Sequence, residues 1–184
     1  FYMHTNKDAE DFKIEKTKDI NFKKWDTYVP AKDETLIGGL TFLKNWEIRS
    51  EVTNALGKIF VKNLKDNKEE ELIFSDEEVF DGGVSLVQKD KNTDLIHISY
   101  STPKTQSRVY LYNLRTKEKK LVKEQIIPSG HSSNDYIVER LECLSHDGRK
   151  VPLTITRHKK TKIDGNANVL LYGYGSYGNS MSPN

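Results

Sequence analysis

Cysteine is almost absent from this chain: Cys143 stands alone among 184 residues. One thiol cannot close an internal disulfide, so a disulfide-stapled fold is excluded, and a reducing, cytoplasmic compartment is expected. Long hydrophobic runs are lacking too. None reaches the roughly 20 apolar residues that a membrane-spanning helix needs, and no N-terminal targeting pattern is present. The sequence opens Phe1-Tyr2-Met3 without an initiator methionine, which reads as a processed start or a fragment. Neither sign of charge predominates, with 29 basic and 27 acidic residues for a net of +2. The signs alternate closely, as in Lys65-Asp66-Asn67-Lys68-Glu69-Glu70-Glu71. The longest basic run, Arg157-His158-Lys159-Lys160, has no interleaved aromatics and reads as a solvated loop. Nucleic-acid and membrane partners are therefore not expected. His4, His97 and His158 are scattered, and no His/Cys/Asp spacing marks a metal site; no metal and no cofactor is expected. Helical periodicity is also missing, since no stretch of 11 residues carries an apolar i, i+3, i+4, i+7 stripe.

What is present is a succession of short strands. Hydrophobic residues make up 35%, charged residues 30% and aromatics 10%, a polar balance but not that of a disordered chain. Ile59 to Leu64 reads as a strand, Asp66-Asn67 as its turn and Glu71 to Phe74 as the return. Asp94 to Tyr100 alternates apolar and polar residues, the pattern of a half-buried strand. Val109 to Leu114 does the same, and Lys119 to Val122 follows a turn around Arg115-Thr116-Lys117. The segments 59–74 and 109–122 share one plan: a strand ending in Asn-Leu, a charged turn and a short return. The repeat of about 50 residues suits one blade of a propeller.

Composition changes after Ile127. Pro128 to Asp135 contains only turn and loop formers and reads as a linker. Tyr136 to Leu144 and Val151 to Thr156 flank Asp147-Gly148, a strong hairpin signal. Asn168 to Tyr172 is a continuous apolar run, expected to be a strand buried on both faces. It enters a loop with Gly173, Tyr174, Gly175, Tyr177 and Gly178, and six more residues complete the sequence. The glycines are candidates for positive φ and close backbone approach.

This loop formally satisfies Gly-x-Gly-x-x-Gly, but bulky Tyr174 between the first two glycines would obstruct a pyrophosphate. No Gly-x-Ser-x-Gly is present anywhere. His131, Ser132 and Asp135 crowd one loop and read as a turn, because triad residues converge from separate elements. Cys143 falls in an expected strand and reads as a small buried side chain rather than a nucleophile, and His146 as a solvated hairpin-tip residue.

The strand and loop Tyr172-Gly173-Tyr174-Gly175-Ser176-Tyr177-Gly178, with Ser180 and Pro183-Asn184, resemble the start of the peptidase domain of the prolyl oligopeptidase family, in its oligopeptidase B-like form. Other segments agree in the same order: Tyr2 to Asn6 with Ala9 and Phe12; Trp25, Pro30, Leu40 to Leu43 and Trp46; Ser99 to Pro103 with Tyr110, Thr116 and Leu121; Arg140 through Asp147-Gly148 to Val151-Pro152. The resemblance implies a mainly β chain, a partial β-propeller of about three blades followed by the first strands of an α/β-hydrolase domain. Residues 1–127 would be the C-terminal blades, 128–135 a linker, and 136–184 the incomplete start of the peptidase domain.

It further implies a serine peptidase that hydrolyses short peptides after Lys or Arg, whose Ser, Asp and His lie in a C-terminal catalytic portion beyond this sequence. That portion would be the chain's natural partner, and the 184 residues alone would be inactive. The matching motif puts the family's oxyanion tyrosine at Tyr174 and a substrate-pocket aromatic at Tyr177. A phenol aimed at the developing oxyanion is a recognised donor, worth about 3–4 kcal/mol. From spacing alone, the favoured reading is that both tyrosines simply pack a tight loop. A second reading is a non-catalytic propeller-derived interaction module or gene relic. The downstream coding sequence discriminates the two.

Overall fold

The computed structural model describes every residue except Phe74, Asp76, Glu78, Gly178 and Asn184. The described residues hold no α-helix and form 13 strands and one short 3-10 turn. The first sheet is a three-stranded meander of β1 (Tyr2–Thr5), β2 (Lys13–Lys16) and β3 (Asp26–Val29). The second has four strands in chain order, β4 (Thr35–Phe42), β5 (Trp46–Thr53), β6 (Leu56–Asn63) and β7 (Glu69–Glu71). The third repeats that order with β8 (Asp81–Leu86), β9 (Leu95–Thr102), β10 (Thr105–Asn113) and β11 (Lys119–Glu124). A hairpin of β12 (Tyr136–Leu144) and β13 (Lys150–His158) follows. Every pairing is antiparallel between chain neighbours, the meander expected of propeller blades.

The chain forms two compact units: Phe1–Phe74 with Gln88–Asp94, and Ser75–Val87 with Leu95–Asn184. In the first, Ile14, Val29 and Ile37 form a buried cluster against which Phe12, Tyr28 and Leu40 pack. Gly38 lets β4 approach β5 closely: a Cβ there would lie 2.7 Å from the Ser50 carbonyl oxygen, and the register shifts at this point. Buried Trp46 donates its indole Nε1–H to Asp94 Oδ1 at 2.8 Å, fastening the 88–94 segment to this unit. In the second unit, Ile96, Ile98 and Tyr100 alternate on the buried face of β9, with Tyr112 and Leu114 also buried. The period-two pattern of the sequence is thus a period-two burial pattern.

The 50-residue repeat holds bond by bond. Asn63 Oδ1 accepts Lys65 N–H at 2.9 Å, and Asn113 Oδ1 accepts Arg115 N–H at 2.9 Å. Asn63 O accepts Asn67 N–H at 2.9 Å, and Asn113 O accepts Lys117 N–H at 2.8 Å. Asn63 N–H reaches Lys68 O at 2.9 Å, and Asn113 N–H reaches Glu118 O at 3.0 Å. Asn67 and Lys117 both take left-handed backbone, with φ of 60° and 64°. An asparagine side chain that bonds backbone two residues on nucleates each turn.

Three expectations need correction. The return strand after the first turn is Glu69–Glu71, not 71–74, and Phe74 lies outside the described residues. The turn closes at Lys68, which forces Lys62 opposite Glu69 and Phe60 opposite Glu71; turn length, not the apolar pair Leu72-Ile73, sets the register. Residues 168–172 form no strand: they are irregular, and Leu170 is 91% exposed. Burial on both faces needs a neighbour on each side, and no described strand lies beside this run. Cys143 sits in β12 as expected, but it is exposed.

Candidate functional site

The β12–β13 hairpin turns where Asp147-Gly148 predicts it, with Gly148 at φ 80°. The Ser145 hydroxyl donates to Asp147 Oδ1, and Arg149 N–H donates to the same oxygen at 3.2 Å. The serine bond first, then the backbone bond, hold the Asp147 carboxyl below its ordinary value. At the other end of the hairpin, Lys159 N–H bonds Asp135 O at 2.8 Å. His131 Nε2 meets the Lys104 carbonyl oxygen at 2.6 Å, and its ring stacks on Tyr136. Asp135 N–H bonds Ser132 O. The crowded His131, Ser132 and Asp135 therefore make a turn, not a catalytic triad.

Beyond β13 the chain runs open to the glycine-tyrosine loop. Tyr174 is 52% exposed and Tyr177 95% exposed. Among the described residues neither phenol is hydrogen-bonded. Gly173 and Gly175 have open space about them and no positive φ; Gly178 lies outside the described residues. The left-handed residue is instead Tyr177, at φ 56°, in a turn that Asn179 N–H closes on Ser176 O at 3.1 Å. A bulky side chain in that region is strained, a condition often met at functional loops.

The sequence reading missed a buried ionic cluster in the first unit. Glu47, Arg49 and Glu51 project from one face of β5, and all three are buried. Arg49 binds Glu69 with both terminal nitrogens, at 2.7 and 3.0 Å, and donates Nε–H to Glu51 Oε1 at 2.9 Å. Lys32 Nζ donates to both Glu51 oxygens at 2.7 and 2.8 Å. The Tyr28 hydroxyl donates to Glu47 and accepts from Lys62 Nζ. Burial works against the Arg49 charge, but the two carboxylates outweigh it and hold the guanidinium above its ordinary value. Those bonds from Arg49 hold the Glu69 carboxyl low against its partial burial. Burial, then the Glu47 bond, pushes the Tyr28 phenol up. The signal was legible as Glu-x-Arg-x-Glu at period two within a strand.

Among the described residues no group of three His, Cys, Asp or Glu side chains is placed to hold a metal ion. No helix of the described residues is long and apolar enough to cross a membrane. Residues 1–125, from β1 to the end of β11, match the family described as "Prolyl oligopeptidase, N-terminal beta-propeller domain". The chain belongs to the prolyl oligopeptidase family. It is 32% identical to dipeptidyl aminopeptidase BI of Pseudoxanthomonas mexicana, over 99% of this chain and 25% of that protein. It is 23% identical to prolyl oligopeptidase A of Galerina marginata, over 100% of this chain and 24% of that protein. Among solved structures, it superposes on oligopeptidase B from Trypanosoma brucei with covalently bound antipain, closed form, with a TM-score of 0.87. Sequence identity there is 27%, over 100% of this chain and 28% of the other. The chain thus spans about a quarter of the length of these relatives. These relatives are peptidases, and the first three sheets are the family's propeller region.

Proposed function

We propose that this chain supplies the last propeller blades, residues 1–127, a connector at 128–135, and the opening of an α/β-hydrolase peptidase domain at 136–184. The enzyme hydrolyses short peptides after Lys or Arg by acyl-enzyme chemistry, in the cytoplasm. One observation carries this reading. The propeller match closes at residue 125, beside the end of β11 at Glu124, yet the alignments to relatives continue over 99–100% of the chain. That the likeness runs on through the hairpin and the loop after it, outside the matched propeller segment, supports this reading.

In this reading the exposed Tyr174 phenol donates a hydrogen bond to the oxyanion of the tetrahedral intermediate, and Tyr177 lines the substrate pocket. Nucleophile and general base come from another part of the enzyme, since these 184 residues hold no Gly-x-Ser-x-Gly. A donor without an attacking group has no covalent route to offer, so the chain alone turns over no substrate. In the complete enzyme, Tyr174→Phe lowers kcat by roughly 10²–10³ with a smaller effect on KM. An unaltered kcat returns Tyr174 to a structural role. Mass analysis of peptide products separates the specificities: cleavage after internal Lys or Arg supports the reading, whereas stepwise release of N-terminal dipeptides overturns that part of it.

A further inference from the structure

The buried ionic cluster lies where the first sheet meets the second, and its geometry is periodic. Tyr28 and Lys32 come from the end of β3 and the segment after it; Glu47 and Glu51 come from β5. Tyr28 meets Glu47 and Lys32 meets Glu51, each contact spanning 19 residues of chain. The two segments are therefore in step across the seam. Setting Lys32 against Arg49 instead would put cation against cation, so the charges favour the arrangement seen.

Glu51 occupies the centre. Its Oε1 is shared by Lys32 Nζ at 2.7 Å and Arg49 Nε at 2.9 Å. The same two cations lie against one ring, Phe60, at 5.2 and 4.9 Å from its centroid. Around them stand Glu69 on Arg49, Glu47 with Tyr28 and Lys62, Lys16 over the Tyr28 ring, and the looser Lys58–Glu71 pair at 3.8 Å. Glu69 is taken up by the guanidinium and Glu47 by the phenol. Neither reaches Lys32 by a direct bond. Without the Glu51 charge, the half-exposed Lys32 and the buried Arg49 face each other as like charges.

We propose that Glu51 is the charge keystone of a clasp on the β3–β4 connection: it neutralises Lys32 from that connection, which bridges to Thr35 of β4, and Arg49 from β5, and so holds the connection between the two sheets in one arrangement. This inference stands on the first unit alone and does not depend on the peptidase reading. Removing one partner of a buried ionic group is strongly destabilising, whereas removing the group as a set is nearly neutral.

Hydrogen exchange over β3 and β5 of the full 184-residue chain tests it. Glu51→Gln, which keeps the shape and deletes the charge, raises the opening rate of these amides by roughly 10²–10³. Lys32→Met alone changes it only several-fold, because Arg49 keeps both carboxylates. Combining Lys32→Met with Glu51→Gln restores most of the protection. If Glu51→Gln fails to fold while the double variant folds, the proposal stands. It is overturned if Glu51→Gln exchanges like the parent, if Lys32→Met alone is as damaging as Glu51→Gln, or if the double variant is as labile as Glu51→Gln.

Discussion

Lys117→Gly should stabilise the protein, and Asn67→Gly should not. The two positions are a matched pair. Each sits at the same place in the repeated turn, donates its N–H to the carbonyl of the preceding asparagine, and has a φ near 60°. An ordinary side chain with left-handed backbone costs about 1–2 kcal/mol. Asparagine tolerates that region far better because its short polar side chain bonds locally. Glycine removes the strain but loosens the unfolded chain, at a cost of about 0.4–1 kcal/mol. The difference at Lys117 is a net gain of roughly 0.5–1 kcal/mol; at Asn67 the two effects cancel or leave a small loss. For a chain of this size, 1 kcal/mol moves Tm by about 2–4 °C. Calorimetry of the two single variants beside the parent reads the difference directly. A Tm lowered by Lys117→Gly, or equal shifts at both positions, would refute the reasoning.

Two further outcomes are expected. Arg49 holds the Glu69 carboxyl below its ordinary value, so the stability this pair contributes is present above the unfolded carboxylate range near 4.5 and is lost as pH falls through the lower folded value. Glu69→Gln should flatten that acid limb in a urea-unfolding series, and an unchanged pH profile would show that Glu69 carries none of it. Deleting residues 136–184 should raise soluble yield, because it removes the exposed apolar run from Val169 to Tyr172; an equally soluble, cooperatively melting full chain would count against this.

Strand existence was legible wherever apolar residues alternate against a one-sided core, as in β9, and wherever a turn carries its own chemistry, as at Asp147-Gly148 and the two Asn-Leu turns. The resemblance to the family is matched by the family assignment over residues 1–125, which holds the scattered aromatics but not the terminal motif. Three features escaped for different physical reasons. The end of β7 depends on where a turn closes, which hydrophobicity does not encode. The ionic cluster uses residue types that ordinarily signal a solvated surface, so only the period-two placement of Glu47, Arg49 and Glu51 distinguished it. The run at 168–172 has the composition of a buried strand, but burial is a property of neighbours, and the described residues supply none. In the terminal loop, the sequence put the left-handed backbone on the glycines, whereas among the described residues Tyr177 adopts it.

The charged face of β5 also gives the two sheets of the first unit a particular response to heat. Taking charges out of water is costly when cold and becomes less so on warming, because the ordering of water around ions grows less favourable, while apolar burial levels off. A seam closed by Glu47, Arg49 and Glu51 therefore gains on its apolar neighbours, such as the Ile14, Val29 and Ile37 cluster, as temperature rises. The join between these two sheets is thus the one whose relative hold increases on warming.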